Sequence, residues 1–264
     1  MDSGFAELAS VDGVITATAE ATVPLKDDGL YRGDGVFEVI RLYDGRPFAL
    51  ADHYERMQRS AAAIELPLDR PALEAEVEAL LAAAGPTEGQ LRLIVTRGGR
   101  RIAATEPVPA HAAAATVASV TYQPTLILNG VKSLSYAANM EATRVAHGRG
   151  AEEAVLVRPD GTVLEPPTSS IFWVSDGELR TTALEAGVLA SITRARLLAA
   201  LAVSEGEWPI ADLLGASEAF LASTTREIQP VHSVDGAELG AAPGPRTLEA
   251  REAFAATVAR ELGD

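Results

Sequence analysis

The chain contains no cysteine. That single absence excludes disulfides, thiolate nucleophiles and thiolate-held metals together. Lysine is almost missing: of 22 basic residues only Lys26 and Lys132 are lysines. The four histidines (His53, His111, His147 and His232) show no H-x3-H or H-E-x-x-H spacing, so no metal site is expected. Nothing argues for a site built from carboxylates alone. No apolar run is long enough to span a bilayer. The opening "MDSGFAELAS" lacks a basic stretch followed by an apolar core, so no signal peptide is expected and the cytoplasm is the expected location. Positive charge is also in deficit. A net charge of −15 opposes binding to nucleic-acid phosphates and anionic membranes, and it keeps the surface soluble.

What is present is a chain of 264 residues, 47% apolar, enough for one large domain or two modest ones. "VITATAEATVP" alternates and is rich in β-branched residues, which predicts a strand over 14–24. "GVFEVIRLYDGRPFAL" predicts two strands turning at Asp44-Gly45. "ADHYERMQRSAAAIEL" and "DRPALEAEVEALLAAAG" read as helices, the second with Pro71 near its start and Gly85 after its end. "QLRLIVTRGG" and "AATVASVTYQP" read as buried strands. "YQPTLILNG" reads as a connection, which divides the chain into 1–120, a linker at 121–128, and 129–264. Beyond it come a helix ("SYAANMEATRVAHGRG"), hairpins turning at Asp160-Gly161 and Asp176-Gly177, a helix after "LAS", the strand "EAFLASTT" and a closing amphipathic helix. The coarse expectation is two α/β or α+β domains with a ligand cleft where they meet.

Where charge alone was wanted this sequence uses arginine, so Lys132 points to chemistry that needs an amine. A guanidinium stays protonated, whereas a partly buried amine can lose its proton and attack a carbonyl. A surface lysine is the alternative, and spacing alone leaves both open. Glu165 ends "GTVLE", where Pro166 and Pro167 stop the strand. "LASITR" puts Ser191 and Thr193 at a helix start, which favours an anion, and Ser223, Thr224 and Thr225 make a hydroxyl-rich turn after a strand. Singly, these read equally well as a solvated strand end, an ordinary cap and an ordinary turn.

Together and in this order, "YRGDGVFEVIRLYDG", "HYERMQRSA", "VTRG", "VKSLSY", "DGTVLEPPTSSIFWV", "LASITR" and "STTREIQPVHSVDG" resemble the class IV (fold type IV) pyridoxal-phosphate enzymes. The resemblance runs from about Tyr31 almost to the C-terminus. It implies a small N-terminal α/β domain, a larger C-terminal domain, pyridoxal 5′-phosphate in the cleft between them, and a homodimer. It further implies that Lys132 is the Schiff-base lysine and proton carrier, and that Glu165 pairs with the pyridine nitrogen. Arg56 would hold the phosphate, together with the N–H groups of Ile192 and Thr193 and the hydroxyl-rich groups Ser191, Ser223 and Thr224. Tyr136 would meet the cofactor's phenolic oxygen. Two departures stand out: Ser191 replaces the usual glycine of "L-x-G-I-T-R", and "EPPTSSIF" carries Pro166 for glycine and Ser170 for asparagine.

The cofactor supplies the shared chemistry, so the substrate must be read elsewhere. Phe37, Arg97 and Thr225 are the candidate substrate contacts. In the D-amino-acid enzymes the arginine matching Arg97 meets the substrate carboxylate, but here Phe37 replaces a common tyrosine and no histidine follows Arg97 two positions on. Arg100 or Arg101 could substitute, and a structural ion pair for Arg97 stays open. The readings are an aminotransferase acting on a D-amino acid (D-alanine or D-glutamate type) and a 2-oxo acid such as 2-oxoglutarate; an aminodeoxychorismate lyase releasing pyruvate and 4-aminobenzoate; or a binding protein that keeps the fold without catalysis. Branched-chain L-aminotransferase or (R)-amine transaminase activity fits the N-terminal segment less well.

Overall fold

Two sheets and their helices form this molecule, and Asp-Gly turns close several of its hairpins. The computed structural model describes residues 7–263, and most of the opening decapeptide read for a targeting signal lies outside them. The chain divides into two compact units, Met1–Pro109 with Val131–Tyr136, and Ala110–Gly130 with Ala137–Asp264.

The first unit runs β1 (Leu8–Val11), β2 (Val14–Ala17), α1 (Asp28–Arg32), β3 (Gly35–Tyr43), β4 (Arg46–Pro47), α2 (Leu50–Ala63), α3 (Arg70–Ala84), β5 (Gly89–Thr96) and β6 (Arg101–Glu106). Its six strands form an antiparallel sheet in the order β2-β1-β6-β5-β3-β4. Asp44 and Gly45 take φ of 50° and 76°, as a tight hairpin turn requires. In α3 the Asp69 carboxylate accepts the Ala72 N–H, Pro71 sits in the first turn, and Gly85 follows the last. The core joins Ile40, Leu42, Leu91 and Leu93 of the sheet to Met57, Leu73, Val77 and Leu80 of the helices. The strand expected over 14–24 stops at Ala17 and gives way to a short 3-10 turn, because its partner β1 is only four residues long and Ala17 already pairs with Leu8.

The second unit runs β7 (Ala115–Thr121), α4 (Ala137–Gly148), β8 (Glu153–Val157), β9 (Ser170–Ser175), β10 (Glu178–Thr182), α5 (Ile192–Ala200), β11 (Ser204–Gly206), α6 (Ile210–Leu214), β12 (Glu218–Ser223), β13 (Glu227–Val234), β14 (Ala237–Glu238) and α7 (Pro245–Leu262). The sheet order is β11-β10-β9-β12-β13-β7-β8, with β14 paired to β13. The pairs β7–β8, β7–β13 and β10–β11 are parallel. Strands buried on both sides, such as "EAFLAS", carry the core with Trp173, Phe172 and Phe220. The Asp176-Gly177 hairpin forms as read. The return from Asp160-Gly161 also pairs back on β8: Arg158 N–H donates to the Thr162 carbonyl at 2.8 Å, Leu164 N–H to the Leu156 carbonyl at 2.8 Å and Leu156 N–H to the Glu165 carbonyl at 3.1 Å, with a bridge from Val157 to Val163.

The division differs from the boundary read near residue 120. The segment carrying Lys132 belongs to the first unit because it pairs with the start of β3. The Lys132 carbonyl accepts the Phe37 N–H at 3.1 Å, Ser133 bridges Val36, and Leu134 N–H donates to the Gly35 carbonyl at 2.8 Å.

Candidate active site

Successive residues of β3 face opposite sides of the sheet. Glu38 shares the row of Val36, Ile40 and Leu42, which faces α2, and it is fully buried. There its carboxylate accepts from Arg56 Nε at 2.7 Å and Nη2 at 2.6 Å, and it lies 2.8 Å from His53 Nδ1. His53, Arg56, Met57 and Ser60 are buried at i, i+3, i+4 and i+7, one face of α2. Burial alone would raise the Glu38 pKa, but the Arg56 charge and the hydrogen bonds from Arg56 and His53 reverse this and hold it at about 2. Burial pushes His53 below its ordinary value, more than Glu38 raises it, and the charges of Arg56 and Lys132 act in the same downward direction. A neutral imidazole beside an acceptor-only carboxylate donates its Nδ1–H to Glu38.

The opposite face of β3 carries Phe37. Lys132 Nζ lies 4.3 Å from the centre of its ring, and Tyr136 meets that ring edge-on at 5.2 Å. Ser60 Oγ on α2 accepts the Lys132 N–H at 3.1 Å. The lysine backbone is thus held by α2 and β3 together, while its amine rests on an aromatic face.

In the second unit Glu165 Oε1 accepts the Leu189 N–H at 2.7 Å, which ties this carboxylate to the segment entering α5. Ser191 is the N-cap of α5, and its Oγ accepts the Arg194 N–H at 3.2 Å. The cap takes the third helical N–H, so the first two, of Ile192 and Thr193, have no acceptor inside the helix. Beyond Glu165 the hydroxyls of Ser169 and Ser170 are buried with no hydrogen-bond partner among the described residues. Ser170 pairs in register with Ala222, so β9 places it beside the end of β12 and the Ser223–Thr225 turn.

The sequence matches the family model for amino-transferase class IV over residues 35–234. The chain belongs to the class IV aminotransferases. A D-alanine aminotransferase from Listeria monocytogenes is 32% identical to this aminotransferase, across 96% of this chain and 97% of the relative. A bifunctional aminodeoxychorismate lyase / D-amino acid transaminase from Mycobacterium tuberculosis is 33% identical, over 64% of this chain and 66% of the relative. Among solved structures, the PLP-bound form of a hypothetical aminotransferase from M. tuberculosis superposes with a TM-score of 0.87 at 26% identity, covering 96% of this chain and 99% of that one. The aminotransferase is accordingly a fold type IV, pyridoxal-phosphate-dependent enzyme.

The residues suit that cofactor. In the second unit, a helix start with two available N–H groups suits a phosphate. The hydroxyls of Ser169 and Ser170 have hydrogen-bonding capacity that a polar ligand can meet. The first unit brings together Phe37, Lys132 and Tyr136 on one face of β3, while Arg56 lies on the other face, paired with Glu38. The second brings together Glu165, Ser191, Ile192 and Thr193 at one place and Ser223, Thr224 and Thr225 in one turn.

Arg97 makes the ion pair that the sequence left open. Its guanidinium donates to both Asp34 oxygens at 3.1 and 3.2 Å and to the Ile64 and Glu65 carbonyls at 2.7 and 2.6 Å. Arg100 pairs with Asp12 at 2.6 Å and Arg101 with Glu76 at 2.7 Å. Each arginine considered for the substrate carboxylate therefore already holds a carboxylate of its own unit. Sequence reasoning missed Glu38, His53 and Ser60. The signal was there: a glutamate in an apolar strand row, and polar residues at i, i+3 and i+7 on the buried face of a helix.

Proposed function

We propose that this aminotransferase moves an amino group between a D-amino acid, of the D-alanine or D-glutamate type, and a 2-oxo acid such as 2-oxoglutarate. The observation that carries the choice of substrate is the similarity to a D-alanine aminotransferase along 96% of the chain. In this reading Arg56, steadied by Glu38, binds the cofactor phosphate with the N–H groups of Ile192 and Thr193 and the hydroxyls of Ser223 and Thr224. Glu165 would hold the cofactor's pyridine nitrogen and Tyr136 its ring hydroxyl oxygen. Bound pyridoxal phosphate supplies an electron sink and a carbonyl that exchanges amines. Lys132 Nζ would carry the proton between the substrate α-carbon and the cofactor's C4′ carbon. Phe37 beneath the amine excludes water from one side of it and favours a nearby cation, so the ring orients Nζ. Thr225 and Phe37 shape the substrate side.

A second reading, aminodeoxychorismate lyase, is favoured by the bifunctional relative. Three incubations test both: D-alanine with 2-oxoglutarate, L-leucine with 2-oxoglutarate, and aminodeoxychorismate alone. Glutamate formed only in the first supports the proposal. 4-Aminobenzoate from the third, without glutamate in the first, replaces it with the lyase. A homodimer is part of this reading. Leu126 and Ile127, each 83% exposed on a short 3-10 turn, are an apolar surface for a second copy to cover. A monomer with full activity in sedimentation and kinetic assays would refute it.

A further inference from the structure

The loop that follows Glu165 and the turn that carries Ser223–Thr225 are joined by one buried side chain, Glu153, at the start of β8. Glu153 is 2% exposed. Its Oε2 accepts from Arg226 Nη2 at 2.6 Å and from Thr168 Oγ1 at 3.3 Å, and its Oε1 accepts from Thr143 Oγ1 at 3.3 Å and the Ala154 N–H at 3.0 Å. Thr168 lies three residues after Glu165, in the "EPPTSS" stretch. Arg226 closes the hydroxyl turn, since its own N–H donates to Ser223 Oγ at 3.2 Å. The guanidinium continues to Gln229 Oε1 at 2.6 Å, and Gln229 Nε2 donates to the Ala112 carbonyl at 2.8 Å. One carboxylate therefore fixes the loop, the turn and α4 to β8, and the arginine extends the chain of bonds to β13 and to the residues before β7.

A buried ion pair is weak evidence of net stabilisation, because desolvation offsets much of the attraction. Burial draws the Arg226 pKa down against the pull of Glu153. Such a pair is best suited to selecting one arrangement over others that pack equally well. A need for that selection is visible here. Pro166 and Pro167 remove two backbone donors from the loop, and the Ser169 and Ser170 hydroxyls beyond them have no partner among the described residues to hold it. The turn has the same need: Thr224 and Thr225 are half-buried, and Glu227 just beyond takes a positive φ of 52°.

We propose that Glu153 is a positioning residue. Through Thr168 and Arg226 it holds the Glu165 loop and the Ser223–Thr225 turn in the mutual register that pyridoxal phosphate binding requires. The proposal rests on the reading that Glu165 and Thr224 bind that cofactor.

The test is titration of pyridoxal 5′-phosphate into the full-length protein, followed by visible absorbance, beside thermal unfolding of the same samples. Glu153→Gln removes the charge and keeps the shape; Glu153→Leu with Arg226→Met removes both charges, so that no unpaired ion remains to unfold the protein. The expected result is cofactor affinity weakened at least tenfold in both, with the double variant still folded by circular dichroism. The KM of the amino donor at saturating cofactor should change less than twofold. A double variant that is folded and binds the cofactor as tightly as wild type overturns the proposal and leaves the pair a structural one. Glu165→Ala and Thr224→Ala separate the two failures. If they also leave affinity unchanged, the reading of the site fails; if they weaken it while the Glu153 variants do not, only the role of Glu153 fails.

Discussion

Glu38→Gln is expected to loosen the first unit by about 3 kcal/mol at pH 7. Two routes lead to that magnitude. A carboxyl held at about 2 instead of 4.5 is stabilised in its ionised form by about 3–4 kcal/mol, at roughly 1.4 kcal/mol per pKa unit. Removing one partner of a buried ion pair independently costs about 3–5 kcal/mol, because the remaining cation, here Arg56, is left without its counter-charge. The amide can still accept one hydrogen bond, which favours the lower end. Both tryptophans, Trp173 and Trp208, lie in the second unit, so tryptophan fluorescence would miss the event. Hydrogen exchange resolved by peptide is the suitable assay. Protection of the β3 and β5 amides should fall by about a hundredfold. The pH dependence follows from the direction of the shift. The folded pKa lies below the unfolded one, so the stabilisation is complete above about pH 4.5 and is lost as pH falls toward 2. The variant and the wild type should therefore converge in acid. A loss of protection under fivefold at pH 7, or a difference that stays constant between pH 7 and pH 3, would refute the reasoning.

Other outcomes follow from the same geometry. His53 is held below its ordinary pKa, so the unfolded chain takes up its proton first and stability declines as pH falls below about 6.5; urea midpoints between pH 7.5 and 5 should drop, and Glu38→Gln should retain this part of the slope. Arg97→Ala should lower the thermal midpoint through loss of the Asp34, Ile64 and Glu65 bonds, while the KM for D-alanine rises less than fivefold; a hundredfold rise with unchanged stability would return Arg97 to the substrate. Glu218 accepts the Arg246 and Thr247 N–H groups and the Thr247 hydroxyl at the start of α7, so Glu218→Ala should cost about 2–3 kcal/mol in denaturant unfolding by leaving buried donors unpaired. Phe37→Leu keeps an apolar contact but removes the aromatic face, and should lower kcat several-fold without changing cofactor affinity.

Sequence and structure part company for physical reasons. Hairpins written as Asp-Gly were legible because that dipeptide tolerates the positive φ that Asp44, Gly45, Asp176 and Gly177 adopt. Helix α3 was legible from its periodicity and its proline and glycine ends. The strands β1, β6, β11 and β13 were not: β1 and β11 are only four and three residues long, β6 lacks a clean alternation and Pro230 interrupts β13, so each becomes a strand only when a neighbour supplies its hydrogen bonds. The unit to which Lys132 belongs was hidden for the same reason: its pairing with β3 joins residues about a hundred positions apart. For the proposed site, residue types alone left Lys132, Glu165 and the two hydroxyl-rich turns open to ordinary structural readings, and it was the order of the seven motifs that singled them out. Glu38, Ser60 and Glu153 were not singled out, because their importance lies in what they hold.

The central claim is that Lys132 carries the cofactor chemistry, and the scarcity of lysine makes it directly measurable. Borohydride reduction of the holoprotein fixes pyridoxal phosphate to the amine that holds it, and peptide mass spectrometry then identifies that amine. Only Lys26 and Lys132 compete among side chains. The account predicts the pyridoxyl label on the peptide containing Lys132, with loss of both the label and the visible absorbance in Lys132→Ala. A label on Lys26, or an unchanged spectrum in Lys132→Ala, would contradict it.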